Sequence, residues 1–360
     1  MTIEILTSYF KPYVGGIETV VLKLAEGLGK RGYEVVVHTA KSTPGIYKNL
    51  PSQEENKYYL IKRYNIYPYS LFFPKLVYND SILSMLNYSC LMNDYASVRY
   101  RSRKKILSPY GNLSYQLGQR QHQYLAPIYD RFIGAQTLKS VNNIIAMTQH
   151  EKNEIIKKYP QFKSKISVVP GGIDFYNKNK ISSKKLFPFK YFISVGRVVH
   201  TKRFEEILII MKYFTNFHFV LAGRDIGHAN FLLNLAKNLG VSDRFHYLGE
   251  VSEDKKIALI SQAEMFIMPD SASAFGIANL EAFYYLGRVV SASSGGTIDL
   301  SNELGGETYL AGDEQGLKKA IERQLVRKFT KKSLSENKQI IEEKYSWDSV
   351  VRKYEEVIHK

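Results

Sequence analysis

MPDSASAFGIANLEAFYYLGRVVSASSGG, residues 268–296, reads as a strand end, a polar loop, a helix, a buried strand and a Gly-Gly loop. The apolar run 265–268 stops at Pro269, small and polar residues follow, and helical periodicity starts after Phe275 and Gly276 with Ile277, Leu280 and Tyr284. Glu281 falls in the first turns of that helix. A helix N-terminus presents unpaired backbone N–H groups and a positive dipole end, so small residues ahead of it let an anion approach closely. A phosphate suits that position, and a carboxylate just inside the helix suits the vicinal diol of a ribose. Together they point to a nucleotide. An isolated Glu at such a place also serves as a dipole-compensating surface residue, so the surrounding chain has to decide.

At 360 residues the chain has room for two domains of about 180 residues each, and 44% hydrophobic content supplies both cores. The single cysteine, Cys90, excludes an intrachain disulfide, and no Cys/His spacing suggests a metal site. The N-terminal residues MTIEILTSYFKPYV place Glu4 and Pro12 where a signal peptide needs a basic start and an apolar core. No run of 18 apolar residues occurs, so the expectation is a cytoplasmic protein that at most lies on a membrane. Net charge is +16, and 13 of that excess falls in residues 1–180. Basic clusters interleaved with aromatics, KYYLIKRYNIYPYSLFFPKLVY and VRYRSRKK, suit an anionic bilayer, an anionic lipid-linked acceptor or nucleic acid, or form a solvated basic face. No sequence-specific nucleic-acid motif accompanies them, so nucleic acid is the least favoured partner.

Residues 3–7 read as a strand, followed by the loop SYFKPYVGG and a helix with Ile17, Val20, Val21, Leu24 and Leu28 on one face, closing near Gly32. A strand resumes at 35–37, which makes a β-α-β unit with Gly15 and Gly16 ahead of the helix. Residues 41–105 are irregular, with a helix expected over 82–91 and a strand over 105–108. One or two helices are expected before residue 140, then a strand at 144–147, the helix HEKNEIIKKY, and a strand at 166–169 ending in PGGID. YNKNKISSKK has linker character. Beyond it strands (189–195, 217–222, 245–248, 308–310) alternate with helices, among them one running to about Tyr213, and further helices occupy 314 onward. Such alternation implies parallel sheets covered on both faces, with ligands at the carboxyl ends of the strands.

In order and spacing, VGGIETVVLKLAEGLGKRGYEV, VVPGGID, VGRVVHTKRFEEIL, LAGRD and the opening stretch resemble a family 4 retaining glycosyltransferase. The closing WDSVVRKYEEVI resembles the helix that returns to the first domain in that family. The resemblance implies an α/β fold of GT-B type, two Rossmann-like domains facing each other across a cleft. It implies domains at 1–177 and 178–345, acceptor and donor sides respectively, and a returning helix at 346–360. It further implies that Arg197 and Lys202 hold the donor diphosphate and that Glu281 holds the ribose. Gly15, Gly16 and Gly196 would lie against the donor, and Ser273, Ala274, Phe275, Gly276 and Ile277 would face the sugar. A nucleotide-sugar is the substrate, a glycan or lipid-linked acceptor the partner, and no cofactor or metal is expected. Two positions depart from the pattern: Ser273 stands where the family carries the first Glu of its Glu-x7-Glu signature, and Tyr110 stands where many relatives place His or Arg. Sugar preference is what these departures open. No histidine earns a catalytic role, His38 ending a strand and His200 lying in the phosphate loop. A sugar-nucleotide epimerase and a non-catalytic nucleotide or glycan binder are the alternative readings.

Overall fold

The computed structural model describes residues 1–13, 15–41, 50–65, 74, 80–88, 90–110, 126–176, 185–271 and 273–360. It divides into two compact units, Met1–Gly172 with Trp347–Lys360, and Ile173–Ser346.

The first unit holds an eight-stranded sheet in the order β3-β4-β2-β1-β5-β6-β7-β8. Its strands are β1 Thr2–Leu6, β2 Glu34–Ala40, β3 Gln53–Glu55, β4 Leu60–Tyr64, β5 Ile82–Leu86, β6 Lys104–Ser108, β7 Asn143–Ala146 and β8 Ile166–Val168. All pairs are parallel except β3 with β4. The helix Gly16–Lys30 buries Val20, Val21, Leu24 and Leu28, each worth about 1.5–3 kcal/mol. Against this helix packs Trp347–His359, held by Arg31, which donates to Asp348 at 2.7 Å and Glu355 at 2.9 Å.

The second unit holds a six-stranded, all-parallel sheet in the order β11-β10-β9-β12-β13-β14. Its strands are β9 Tyr191–Val195, β10 His218–Ala222, β11 Phe245–Tyr247, β12 Met265–Met268, β13 Val289–Ala292 and β14 Glu307–Tyr309. Ile193 sits opposite both Val220 and Phe266. The chain builds outward from β9 in one direction and then, from β12, in the other. The order therefore reverses between β9 and β12, which is where a doubly wound sheet opens a crevice at its carboxyl edge.

Several sequence expectations need correction. Residues 82–86 form β5, and the helix comes later, at Leu91–Arg99. ILSML is buried at every position because helices cover both faces of the sheet, so the period-two alternation that marks a strand is missing. Gly295 and Gly296 open the helix Gly295–Leu304, started by reciprocal bonds between Ser294 and Thr297. The helix expected to reach Tyr213 ends at Ile210. His38 lies inside β2, with buried Nδ1 2.8 Å from the Tyr64 hydroxyl; burial lowers its pKa. The unit junctions fall at 172/173 and 346/347, against the expected 177 and 345, because Ile173 donates to the Tyr345 carbonyl at 3.0 Å and bridges to Ser346. Most of the expected linker, 177–184, lies outside the described residues, as do 66–73 and 75–78 of the first basic-aromatic cluster. No described helix is long and apolar enough to cross a membrane.

Candidate functional site

At the crevice between β9 and β12 three loops of the second unit meet. The first leaves β9 through Gly196, whose N–H donates to the Ala222 carbonyl at 3.0 Å; Val198 donates to Arg224 at 2.8 Å and Ile226 returns to Val198 at 2.9 Å. The loops after β9 and β10 are therefore laced together, and Gly223 permits it: with φ at +151°, it lies so close that any Cβ would overlap the Gly196 carbonyl. Arg197 is exposed on this lace. The chain then makes a tight turn, His200–Lys202, and passes through left-handed Arg203 at φ +55°. Arg203 pairs with Glu206, whose carboxylate also accepts from the Tyr309 hydroxyl at 2.7 Å and the Gly312 N–H at 3.0 Å.

The second loop leaves β12. Its Asp270 is buried and forms an ion pair with Lys202 directly across the crevice. Lys202 itself is half-buried, with 24% of its side chain exposed. The third loop, after β13, is bonded to the second: Ser294 donates to the Asp270 carbonyl at 2.8 Å, and the Gly296 N–H donates to the Ala274 carbonyl at 3.1 Å. On this base the helix Ile277–Tyr285 begins from Gly276 in left-handed conformation at φ +91°, with no side chain capping its N-terminus. Phe275 turns inward against Tyr345. Asn279, 1% exposed, has neither amide atom hydrogen-bonded among the described residues. An unpaired buried amide costs free energy, so this helix start holds unspent polar capacity.

Glu281 lies one turn further in. Its carboxylate is 2.8 Å from Lys256 Nζ on the neighbouring helix Glu253–Ser261, and Lys256 is also 2.7 Å from Glu253. Burial pushes the Glu281 pKa up, and the Lys256 charge opposes it.

Of the residues expected at the site, Gly196, Arg197, Lys202, Ser273, Ala274, Phe275, Gly276 and Ile277 therefore lie on the loops that bound this crevice, with Glu281 on the helix they lead into. Gly15 and Gly16 belong to the other unit, where they start the helix Gly16–Lys30. A Cβ at Gly16 would touch nothing, so the chain's own packing does not require glycine there. Tyr110 also belongs to that unit, following β6 in left-handed conformation at φ +54°, and its buried phenol has a strongly raised pKa. His200 stacks on His228 with ring centroids 5.5 Å apart.

Sequence reasoning missed Asp270, Gly223, Asn279 and Lys256. Asp270 was findable, since it directly follows the Pro that ends β12. Lys256 was not, because it is 25 residues from the carboxylate it serves.

Known proteins agree with this fold. Residues 177–358 match the family described as Glycosyl transferases group 1, and residues 14–175 match Glycosyltransferase Family 4. An uncharacterized glycosyltransferase of Methanocaldococcus jannaschii is 21% identical over 99% of this chain and 97% of its own. The O-antigen chain mannosyltransferase RfbU of Salmonella typhimurium is 26% identical over 44% of each chain. Among solved structures, sucrose-phosphate synthase from Thermosynechococcus elongatus superposes with a TM-score of 0.80 at 17% identity, covering 99% of this chain and 98% of that one. Anabaena HepE in complex with UDP and glucose gives 0.73 at 17% identity over 99% of both. With two parallel-sheet units of this strand order, the chain has the GT-B fold and belongs to the glycosyl transferases group 1 family, as a glycosyltransferase.

Proposed function

We propose that this enzyme moves a hexose from a UDP- or GDP-sugar to a lipid-linked glycan or other envelope acceptor, with retention at the anomeric carbon and without a metal, as a cytoplasmic protein. The observation that carries the reading is the half-buried Lys202 cation on the loop after β9 together with the N-terminus of the helix Ile277–Tyr285 after β12, on the two loops that bound the point where the sheet reverses its order. Departure of a nucleoside diphosphate develops negative charge on phosphate oxygen. Fixed cations and a helix N-terminus stabilise that charge in the role a metal plays elsewhere. In this reading Lys202 and Arg197 grip the diphosphate and the loop from Ser273 to Ile277 faces the sugar. At Gly16, in the first unit, the absence of any internal steric demand supports a ligand as the reason for glycine. The acceptor hydroxyl attacks from the leaving-group face, and the departing phosphate takes its proton. HepE with UDP and glucose supports a nucleotide-sugar donor, and the mannosyltransferase RfbU supports a hexose and a glycan acceptor.

Ser273 lacks the charge of the family's first Glu. A charged hydrogen bond is worth about 1.5–3 kcal/mol, about 10- to 100-fold, against the 10⁶-fold or more that catalysis supplies as a whole, so the exchange retunes the sugar site and leaves the chemistry in place. The unpaired Asn279 amide, close beside Ser273 and Gly276, is a polar group available to the same ligand.

The reading is tested by incubating the protein with a panel of nucleotide-sugars, with and without membrane lipid extract, and following nucleoside diphosphate release. Acceptor-dependent release of UDP or GDP is the expected result. A sugar altered without acceptor would make it an epimerase, and nucleotide binding with no turnover would make it the non-catalytic binder that Ser273 and Tyr110 motivate.

The ribose contact has its own expected result. Glu281→Gln should weaken nucleoside diphosphate binding by about 10- to 100-fold in calorimetry while leaving the melting temperature within a few degrees, since Lys256 retains Glu253. A 2′,3′-dideoxynucleotide should bind wild type and variant alike. Equal losses for both nucleotides would take Glu281 off the ribose.

A further inference from the structure

In the first unit two helical segments are built inside out. On Leu91–Arg99 the buried side carries Asn93, Asp94 and Ser97, whereas Leu91, Tyr95 and Val98 are exposed, Val98 to 56%. Most of the polar side is satisfied internally: Asp94 accepts from Tyr129 at 2.8 Å and from Thr137 at 2.7 Å, Ser97 donates to a backbone carbonyl, and Asn93 Nδ2 donates to the Asn87 carbonyl at 2.8 Å, leaving only the Asn93 Oδ1 without a partner among the described residues. The second segment runs as Ala126–Tyr129, a π-helical turn Asp130–Gly134 and Ala135–Ser140. Asp130 points inward to the Tyr88 hydroxyl at 2.8 Å, while Ile128, Phe132 and Ile133 are exposed, Phe132 to 69%.

Topology places both outer sides on the same side of the sheet. Leu91–Arg99 connects β5 to β6 and the second segment lies between β6 and β7, each a crossover between adjacent parallel strands running in one direction across the sheet. Such crossovers are right-handed, which puts successive helices on one face. Met92, Ala96 and Leu138 accordingly share one core with Leu83, Leu107 and Ile144. The next helix on that face, Gln149–Lys158, is ordinary: it exposes Gln149, Asn153, Lys157 and Lys158. Among the described helices on that face, amphipathic reversal is confined to the two neighbours.

Charge on these segments is one-sided. Their two acids, Asp94 and Asp130, are both buried, while Arg99, Arg101, Arg103 and Arg131 are exposed and pair with no carboxylate among the described residues. Exposed apolar side chains with exposed arginines on the same segments, Arg99 and Arg131, and in the chain directly after the first, Arg101 and Arg103, match the interface of an anionic bilayer, which accepts the apolar groups between its headgroups and the guanidinium groups at its surface. From this we infer that the face formed by Leu91–Arg99 and 126–134 docks the protein on an anionic membrane surface. The inference does not depend on the donor or on the residues assigned to it.

Full-length protein is co-sedimented with phosphatidylcholine vesicles, with and without phosphatidylglycerol, at low and high salt. Binding to the anionic vesicles at low salt, falling as salt rises, is expected. Phe132→Ser with Ile128→Ser should reduce it by about 10- to 100-fold, and each of Arg99→Glu and Arg131→Glu by about fivefold or more. Unchanged melting temperature and unchanged nucleotide binding identify these variants as folded. No sedimentation with phosphatidylglycerol at low salt overturns the inference. So does loss on arginine substitution with Phe132→Ser neutral, which points to a soluble polyanion. A lipid-free dimer that Phe132→Ser dissociates would make the face a contact between copies.

Discussion

Lys202→Ala should lower the rate of diphosphate release by about 10²- to 10³-fold, mostly in kcat, because the charge it answers grows as the sugar–phosphate bond breaks. The ion pair with buried Asp270 complicates the variant. Removing one partner of a buried pair destabilises by about 3–5 kcal/mol, and a rate loss then mixes chemistry with folding. Two companions separate them. Lys202→Met with Asp270→Asn removes both charges and should recover most of the melting temperature without recovering the rate. Lys202→Arg keeps the cation in a different geometry and should fall between wild type and alanine. If the double variant turns over at wild-type speed, Lys202 merely neutralises Asp270 and the diphosphate is held by other groups.

The elements that position this cation were legible to different degrees. Residues 268–285 read correctly because every transition carries a local signal: Pro269 ends an apolar run, Gly276 is forced by φ +91°, and Ile277, Leu280 and Tyr284 keep helical spacing. β5 was misread because burial on both faces erases alternation, and the helix after Ser294 because its Ser-x-x-Thr start replaces the usual Glu with Thr297. Lys202 was recognisable as a cation in a loop after a strand, but its pairing with Asp270 depends on β9 and β12 being neighbours although 68 residues separate the two side chains. The same holds for Lys256 and Glu281. Sequence patterns report what a residue does to its own segment; strand order decides which segments meet.

Gly223→Ala should be the most damaging single methyl group in the second unit. Nothing in LAGRD distinguishes this glycine from one in an ordinary turn, yet its φ of +151° is open only to glycine, and the missing Cβ leaves the volume filled by the Gly196 carbonyl. Both obstacles are backbone, so no side chain can rotate away. Strain of about 1–3 kcal/mol for the dihedral and a similar amount for overpacking gives a loss of about 2–6 kcal/mol. The chain can escape by separating the loops after β9 and β10, which breaks the Gly196–Ala222 and Val198–Arg224 bonds and moves Arg197 off its strand end. Urea unfolding therefore has to be read beside nucleotide affinity. A variant with a lower midpoint and weakened nucleotide binding is expected, whereas Gly240→Ala, at a left-handed position with open space around it, should cost only the dihedral term and leave binding alone. Equal destabilisation by the two substitutions would mean that the loops part freely and that their close approach does not position the site.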